Sequence, residues 1–176
     1  IANFTNHSYF NLDGHNSGKI YNQQLWLNSK FYTPNTDECF PNGEVLAVSG
    51  TPFDFTEKKK IGDAISSSHE QIKTFGGIDH NFALDGRGFR KVASLTSSDE
   101  TITMDTYTDL PGIQIYTANM LDEGKYKDGA TYGKHNAICL ETQYFPNAME
   151  YSHFIAPVLP EKERYDSTTE YKFIVK

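Results

Sequence analysis

Residues 101–107 read Thr-Ile-Thr-Met-Asp-Thr-Tyr, a run in which apolar and polar side chains alternate. A period of two is typical of a β-strand, because successive side chains of an extended chain point to opposite faces. Similar strand-like runs recur at residues 24–27, 31–33, 44–48, 80–84, 92–96, 113–117, 137–142 and 171–175. Turn residues such as glycine, proline and asparagine separate them. We therefore predict an all-β fold of two packed antiparallel sheets, a sandwich or jelly-roll-like architecture.

A single stretch of the chain predicts a helix. Asp63 can cap a short segment that reaches about Lys73, and Ala64, Ile65 and Ile72 are available for burial on it. The sequence contains no internal repeat, low-complexity tract or interdomain linker. Helix should therefore be a minor part of the fold.

The length and charge of the chain limit the classes of protein to which it can belong. At 176 residues it is long enough for one domain with a substantial core. Sixteen basic and 23 acidic side chains give a formal charge of −7, which opposes contact with nucleic acid or anionic lipid. No apolar run approaches the roughly 20 residues needed to cross a bilayer. We expect a soluble globular protein that binds neither nucleic acid nor a membrane.

The two cysteines, Cys39 and Cys139, are too few for a disulfide framework. Cys139 lies between isoleucine and leucine, so we predict that it is a small buried apolar residue. This use of cysteine favours a reducing, cytoplasmic setting.

A candidate acid lies near the start of the chain, where residues 5–12 read Thr-Asn-His-Ser-Tyr-Phe-Asn-Leu. If residues 3–11 form a strand, His7 shares a polar, partly aromatic face with Tyr9, and such a surface suits a sugar. Histidine titrates near neutral pH and can supply a proton. A structural histidine that is hydrogen-bonded inside the sheet is the alternative interpretation.

A candidate base is Glu141, which ends the apolar part of residues 138–143, Ile-Cys-Leu-Glu-Thr-Gln. An unpartnered carboxylate is costly to bury, and partial burial would raise its pKa toward neutrality, as a general base requires. The alternative is a solvated or salt-bridged glutamate at a strand end.

Two further segments offer polar side chains for a ligand. In residues 76–82, Gly-Gly-Ile-Asp-His-Asn-Phe, Asp79 could accept hydrogen bonds from sugar hydroxyls or simply form a turn. His80 points the other way on an extended chain and should be structural. Gln114 and Tyr116 share one face of the next strand, and an amide beside a phenol suits a polyol, although outward polar residues on an amphipathic strand explain them equally well. The remaining histidines are predicted to lie on the surface without a role; they are His15, His69, His135 and His153.

Other chemistries lack their sequence signatures. There is no glycine-rich phosphate loop, no Gly-x-Ser-x-Gly elbow and no cluster of histidine and cysteine at metal-ligand spacing. The sequence therefore implies no metal and no cofactor.

Four of these segments together resemble the galactose mutarotase (aldose 1-epimerase) family. Its members carry, in this order, Thr-Asn-His-x-Tyr-Phe-Asn-Leu, Gly-x-Asp-His-x-Phe, Gly-x-Gln-x-Tyr-Thr-x-Asn and Leu-Glu-Thr-Gln. Here the four segments begin at Thr5, Gly77, Gly112 and Leu140. The resemblance spans nearly the whole chain and implies the galactose mutarotase-like supersandwich, a large antiparallel β-sandwich.

The resemblance also implies a function and roles for residues. The expected activity is that of a cytoplasmic isomerase that interconverts the α and β anomers of galactose and glucose. His7 would protonate the ring oxygen as general acid, and Glu141 would take the proton of the C1 hydroxyl as general base. Asp79, Gln114 and Tyr9 would hold sugar hydroxyls. We therefore expect His7 and Glu141 to meet in one pocket, facing each other across a gap the size of a sugar ring.

The chain also departs from the family pattern. Family members continue upstream of the first segment with further strands, an arginine and a second histidine of the sugar pocket. We thus expect residues 1–176 to be the C-terminal portion of a single domain that self-associates or pairs with the N-terminal half. Two alternatives remain: a carbohydrate-binding β-sandwich without catalysis, and a hexose-6-phosphate 1-epimerase. The latter needs a basic pocket, and the chain's arginines are Arg87, Arg90 and Arg164.

Overall fold

The computed structural model describes residues 1–176, which form twelve β-strands and two short α-helices. The strands are β1 (Gln24–Leu27), β2 (Ser29–Thr33), β3 (Leu46–Ala47), β4 (Lys59–Lys60), β5 (Asp79–Leu84), β6 (Arg90–Thr96), β7 (Ile102–Thr108), β8 (Gly112–Tyr116), β9 (Gly124–Lys125), β10 (Thr131–Tyr132), β11 (Cys139–Gln143) and β12 (Thr169–Val175). The helices are α1 (Ile61–Ile65) and α2 (Glu70–Phe75). Neither helix has the length and apolar character that a membrane crossing requires.

The strands form two five-stranded sheets and one small hairpin. The first sheet has the order β12-β7-β6-β1-β4 and the second the order β11-β8-β5-β2-β3, while β9 pairs with β10. Every pairing is antiparallel. A single cluster of 21 buried residues draws side chains from both large sheets, among them Leu25 and Leu95 of the first and Phe82 and Ile113 of the second. The predicted antiparallel sandwich is confirmed.

The predicted strands are present, whereas the predicted helix is wrong in its extent. Each strand-like run overlaps a strand, although β3 is reduced to two residues. In place of one helix over residues 63–73 there are two, separated by the serines at positions 66–68. Serine side chains compete for backbone groups, and the Ser66 hydroxyl donates to the Asp63 carbonyl. The second helix is capped by His69, whose ring accepts from the Gln71 backbone N–H.

The expected strand over residues 3–11 does not form. Only Phe10 pairs with the sheet, through reciprocal backbone hydrogen bonds of 2.8 and 2.9 Å with Ile138. Upstream, the side chain of Asn6 accepts from the Ser8 N–H, a local turn that competes with strand pairing. His7 therefore lies on an irregular segment, held to the sheet on its C-terminal side by the Phe10–Ile138 bridge.

Truncating the core should cost far more stability than truncating the surface. Phe82 is fully buried in the cluster shared by the two sheets. We expect Phe82→Ala to lower the free energy of unfolding by about 3–5 kcal/mol. Phe40→Ala is the matched control, because Phe40 is 54% exposed. Urea unfolding followed by circular dichroism measures both variants, and equal losses would contradict the assignment of this core.

Candidate active site

Three adjacent strands of the second sheet carry polar side chains on one face. In the register of β11, β8 and β5, Glu141 lies opposite Gln114, and Tyr116 lies opposite Asp79. Ile115, between the two β8 residues, belongs to the core on the other face. Alternation along paired strands thus separates a polar surface from the core.

A cavity of about 400 Å³ opens over this polar face. Its lining includes all five residues that the sequence predicts for the site: His7, Tyr9, Asp79, Gln114 and Glu141. These five residues come from four segments far apart in the sequence, and the sheet register and the Phe10 bridge bring the segments together.

Tyr116, which the sequence offers beside Gln114, also lines the cavity. Six further lining residues were not predicted; they are Asn35, Cys39, Pro41, Met120, Gln143 and Pro146. Period-two alternation could have found Gln143, which lies two residues beyond Glu141 on the same strand face. Residues 35, 39 and 41 come from the irregular segment after β2, where no periodicity indicates which way a side chain points.

His7 and Glu141 meet at the cavity, as expected, but no gap separates them. His7 Nε2 lies 3.5 Å from Glu141 Oε1. The Glu141 side chain is only 8% exposed, whereas the His7 side chain is 52% exposed. The His7 ring stacks on Tyr9, with ring centroids 5.2 Å apart. The expectation of a ring-sized gap is wrong for this structure, because the two side chains approach each other directly.

Burial sets the electrostatics of the two cavity carboxylates. Burial raises the pKa of Glu141, His7 lowers it, and the nearby charge of Asp79 raises it further. Burial also raises the pKa of Asp79, against the opposing effects of the Gln114 hydrogen bond and of His7. Two carboxyls and one imidazole thus lie together at the cavity, an arrangement that can hold and move a proton.

A chain of side-chain amides orients Asp79. Gln143 Nε2 donates to Gln114 Oε1 over 3.3 Å, and Gln114 Nε2 donates to Asp79 Oδ1 over 2.8 Å. Since an ionised carboxylate only accepts hydrogen bonds, this contact fixes which end of the Gln114 amide faces Asp79. Asp79 Oδ2 makes no hydrogen bond within the chain and is available to a donor on a ligand.

A buried network holds the backbone of Asp79 from the core side, and it confirms that His80 is structural. His80 is fully buried, and its Nδ1 accepts from the Asp79 N–H over 3.1 Å. Its Nε2 lies 2.9 Å from Gln71 Oε1. Because Nδ1 is the acceptor, Nε2 carries the proton and donates to Gln71. Asn35 completes the network by donating from its side-chain amide to the Asp79 carbonyl over 2.8 Å.

The prediction that the other histidines are surface residues is wrong for His135, which is 4% exposed. Its Nε2 lies 2.9 Å from the Gly76 carbonyl and its Nδ1 lies 2.8 Å from the Tyr21 hydroxyl. His69 is half-buried where it caps α2, while His15 and His153 are exposed. His135 therefore ties the loop after α2 to the segment before β11.

Comparison with known proteins gives consistent matches. The family described as aldose 1-epimerase matches residues 1–172. The chain is 39% identical over 176 residues to galactose mutarotase of Bos taurus, covering 99% of this chain and 50% of that protein. It is 33% identical over 179 residues to aldose 1-epimerase of Escherichia coli (strain K12), covering 99% and 51%. The chain thus spans about half the length of the curated relatives that it matches.

Solved structures show the same fold. An aldose epimerase homologue from C. elegans superposes with a TM-score of 0.86 at 23% identity, covering 98% of this chain and 51% of that chain. Galactose 1-epimerase from Lactobacillus acidophilus NCFM gives a TM-score of 0.75 at 28% identity, covering 98% and 48%.

His80 should make stability depend on pH in a defined direction. Burial lowers the pKa of His80 to about 3, from 6.5. Between these two pH values the unfolded chain binds a proton at this histidine and the folded chain does not. The free energy of unfolding therefore falls as the pH drops from 6.5 toward 3, by up to about 1.4 kcal/mol per pH unit. Above pH 6.5 this contribution is constant.

The variant His80→Phe should therefore show a smaller decrease in unfolding free energy between pH 6.5 and 4 than the wild type. Urea unfolding at several pH values measures it. If the wild type and the variant lose stability in parallel over this range, His80 is not held neutral by the fold.

Proposed function

The chain belongs to the aldose 1-epimerase family, and from this premise we propose that it takes part in interconverting the α and β anomers of galactose and glucose. The observation that carries the proposal is the contact of 3.5 Å between His7 and the nearly buried Glu141 in a cavity lined by Asp79 and Gln114. The proposed class is therefore an isomerase, and its substrate is a small hexose.

In the proposed mechanism Glu141 is the general base and His7 the general acid. Glu141 removes the proton from the C1 hydroxyl while His7 gives a proton to the ring oxygen, and the bond between C1 and that oxygen breaks. The aldehyde rotates about its bond to C2, and closure on its other face returns both protons. Each positioned acid or base typically contributes about 10²–10⁴ in rate.

The close approach of His7 to Glu141 suits this reaction. The hydroxyl oxygen and the ring oxygen are bonded to the same carbon, so an acid and a base that act on them must lie side by side. Glu141 is fixed within β11, whereas His7 is half-exposed on an irregular segment and has room to shift when a sugar enters. We propose that Asp79, Gln114 and Tyr9 hold the remaining hydroxyls.

The cavity does not favour a phosphorylated sugar. None of its lining residues is lysine or arginine, while Asp79 and Glu141 are acidic. A phosphate group would meet two carboxylates without a cation to balance it. A neutral hexose fits this surface better than a hexose 6-phosphate.

We also propose a reducing, cytoplasmic location and a need for more of the family's fold. Cys39 and Cys139 are both unpaired. The chain spans about half the length of its relatives, and β12 leaves one edge of the first sheet unpaired. On β12, Phe173 is 54% and Val175 is 76% exposed. Exposed apolar side chains on a free edge favour association with a second copy or with the other half of the family's fold.

Replacing the proposed base should separate catalysis from binding. We expect Glu141→Gln to abolish mutarotation and to keep sugar affinity within about tenfold, since the amide keeps hydrogen bonds but cannot take the proton. Asp79→Ala should instead weaken binding. Polarimetry of freshly dissolved α-D-galactose and calorimetry of sugar binding measure the two effects.

The same two measurements, made on the wild type and the variants, also test whether the chain is a non-catalytic carbohydrate-binding protein. If the wild-type assembly binds galactose without accelerating mutarotation, the chain is part of a binding module. Residual turnover in Glu141→Gln, with an affinity loss equal to that of Asp79→Ala, would contradict the assigned roles.

Residues 1–176 alone should be a poor catalyst, because His7 is half-exposed to solvent. They should also associate in solution, because β12 is an edge strand with no partner on its outer side. Polarimetry beside a full-length galactose mutarotase and sedimentation of the chain test this. Phe173→Asp should reduce association, whereas Met149→Asp, at a residue 57% exposed, is the control. A monomer with full activity would overturn this proposal.

A further inference from the structure

The proposed acid and base also belong to a cluster of possible metal ligands that includes a thiol. His7, Cys139 and Glu141 each offer one potential ligand atom, and these atoms all lie within 4.8 Å of one another. Cys139 and Glu141 lie two residues apart on β11, so their side chains share one face. Neither the proposed mechanism nor the positioning network uses Cys139.

We propose that His7, Cys139 and Glu141 form a binding site for one zinc ion. The metal-binding part of this inference stands on the three side chains alone. Its consequence for catalysis rests on the proposed function, because zinc would engage the acid and the base together and exclude the sugar.

The geometry is close to what zinc requires. A tetrahedral ion with bonds of about 2.0–2.3 Å to nitrogen, oxygen and sulfur holds these atoms about 3.3–3.6 Å apart. His7 Nε2 and Glu141 Oε1 already lie 3.5 Å apart. The sulfur needs to approach by little more than about 1 Å, and the half-exposed His7 can follow it. The fourth coordination position would be left to water from the cavity.

The donor set selects the class of metal. One imidazole, one thiolate and one carboxylate suit zinc, whereas magnesium and calcium prefer oxygen ligands only. Two anionic ligands also neutralise the charge of a divalent ion, which favours binding in a poorly solvated place. On binding, the S–H bond of Cys139 breaks, a Zn–S bond forms and the proton passes to solvent.

Sequence spacing could not reveal this cluster. His7 and Cys139 belong to distant segments, and zinc motifs are recognised from ligands spaced a few residues apart. The bridge between Phe10 and Ile138 brings the two segments together one residue before Cys139.

Cobalt(II) provides a direct test, because a cobalt–thiolate bond absorbs in the near ultraviolet. We expect residues 1–176 to develop this absorption with one equivalent of cobalt and to lose it when zinc is added. Cys139→Ser and Cys139→Ala should abolish the absorption and weaken zinc binding at least about tenfold, measured by competition with a zinc indicator.

Cys39→Ser is the matched control, because Cys39 is the cysteine that lines the cavity and it lies outside the cluster. It should keep the absorption. Absorption that disappears in Cys39→Ser, or that persists in both Cys139 variants, would overturn the proposal, as would its absence from the wild type.

Adding galactose separates this inference from the proposed function. Weaker cobalt binding in galactose supports both, because sugar and metal then compete for His7 and Glu141. A Cys139-dependent absorption that galactose leaves unchanged supports the metal site and contradicts sugar binding at His7 and Glu141 by residues 1–176 alone.

Discussion

The withdrawal of one carboxylate from water is the constraint on which the rest of the site depends. Glu141 is 6% exposed on a strand whose other face is core, and burial raises its pKa. A charge in that position needs partners. His7 provides the opposite charge when protonated, and the neighbouring carboxyl of Asp79 pushes the pKa of Glu141 further upward. In the proposed mechanism, the same desolvation that is unfavourable for folding prepares Glu141 for proton transfer.

The two faces of the second sheet make the burial of Glu141 possible. One face of β11, β8 and β5 is polar because the opposite face supplies core residues such as Ile115 to the cluster between the sheets. His80 shows how the layers cooperate: it is buried and neutral on the core side, and its ring accepts from the backbone N–H of Asp79 on the cavity side. A rigid core thereby fixes Asp79, while His7 stays on an irregular segment that can adjust to a ligand.

The sequence predicted the strands well where alternation carries the information. The directions of the Glu141 and Gln114 side chains follow from period two. Because one face of the strand is buried in the core, the alternate side chains must point to the opposite face. The helix over residues 63–73 and the strand over residues 3–11 failed because local hydrogen bonds of Ser66 and Asn6 compete with regular structure. The contact of His7 with Glu141 and the burial of His135 depend on contacts between distant segments, which spacing along one chain does not encode.

The central claim is that His7 and Glu141 act on the two oxygens of one sugar carbon. The most direct test is a crystal structure of the protein with galactose bound. The account predicts the C1 hydroxyl within hydrogen-bond distance of the Glu141 carboxylate, the ring oxygen within hydrogen-bond distance of His7 Nε2, and other hydroxyls on Asp79 and Gln114. Galactose bound outside this cavity, or bound with C1 turned away from Glu141, would contradict it.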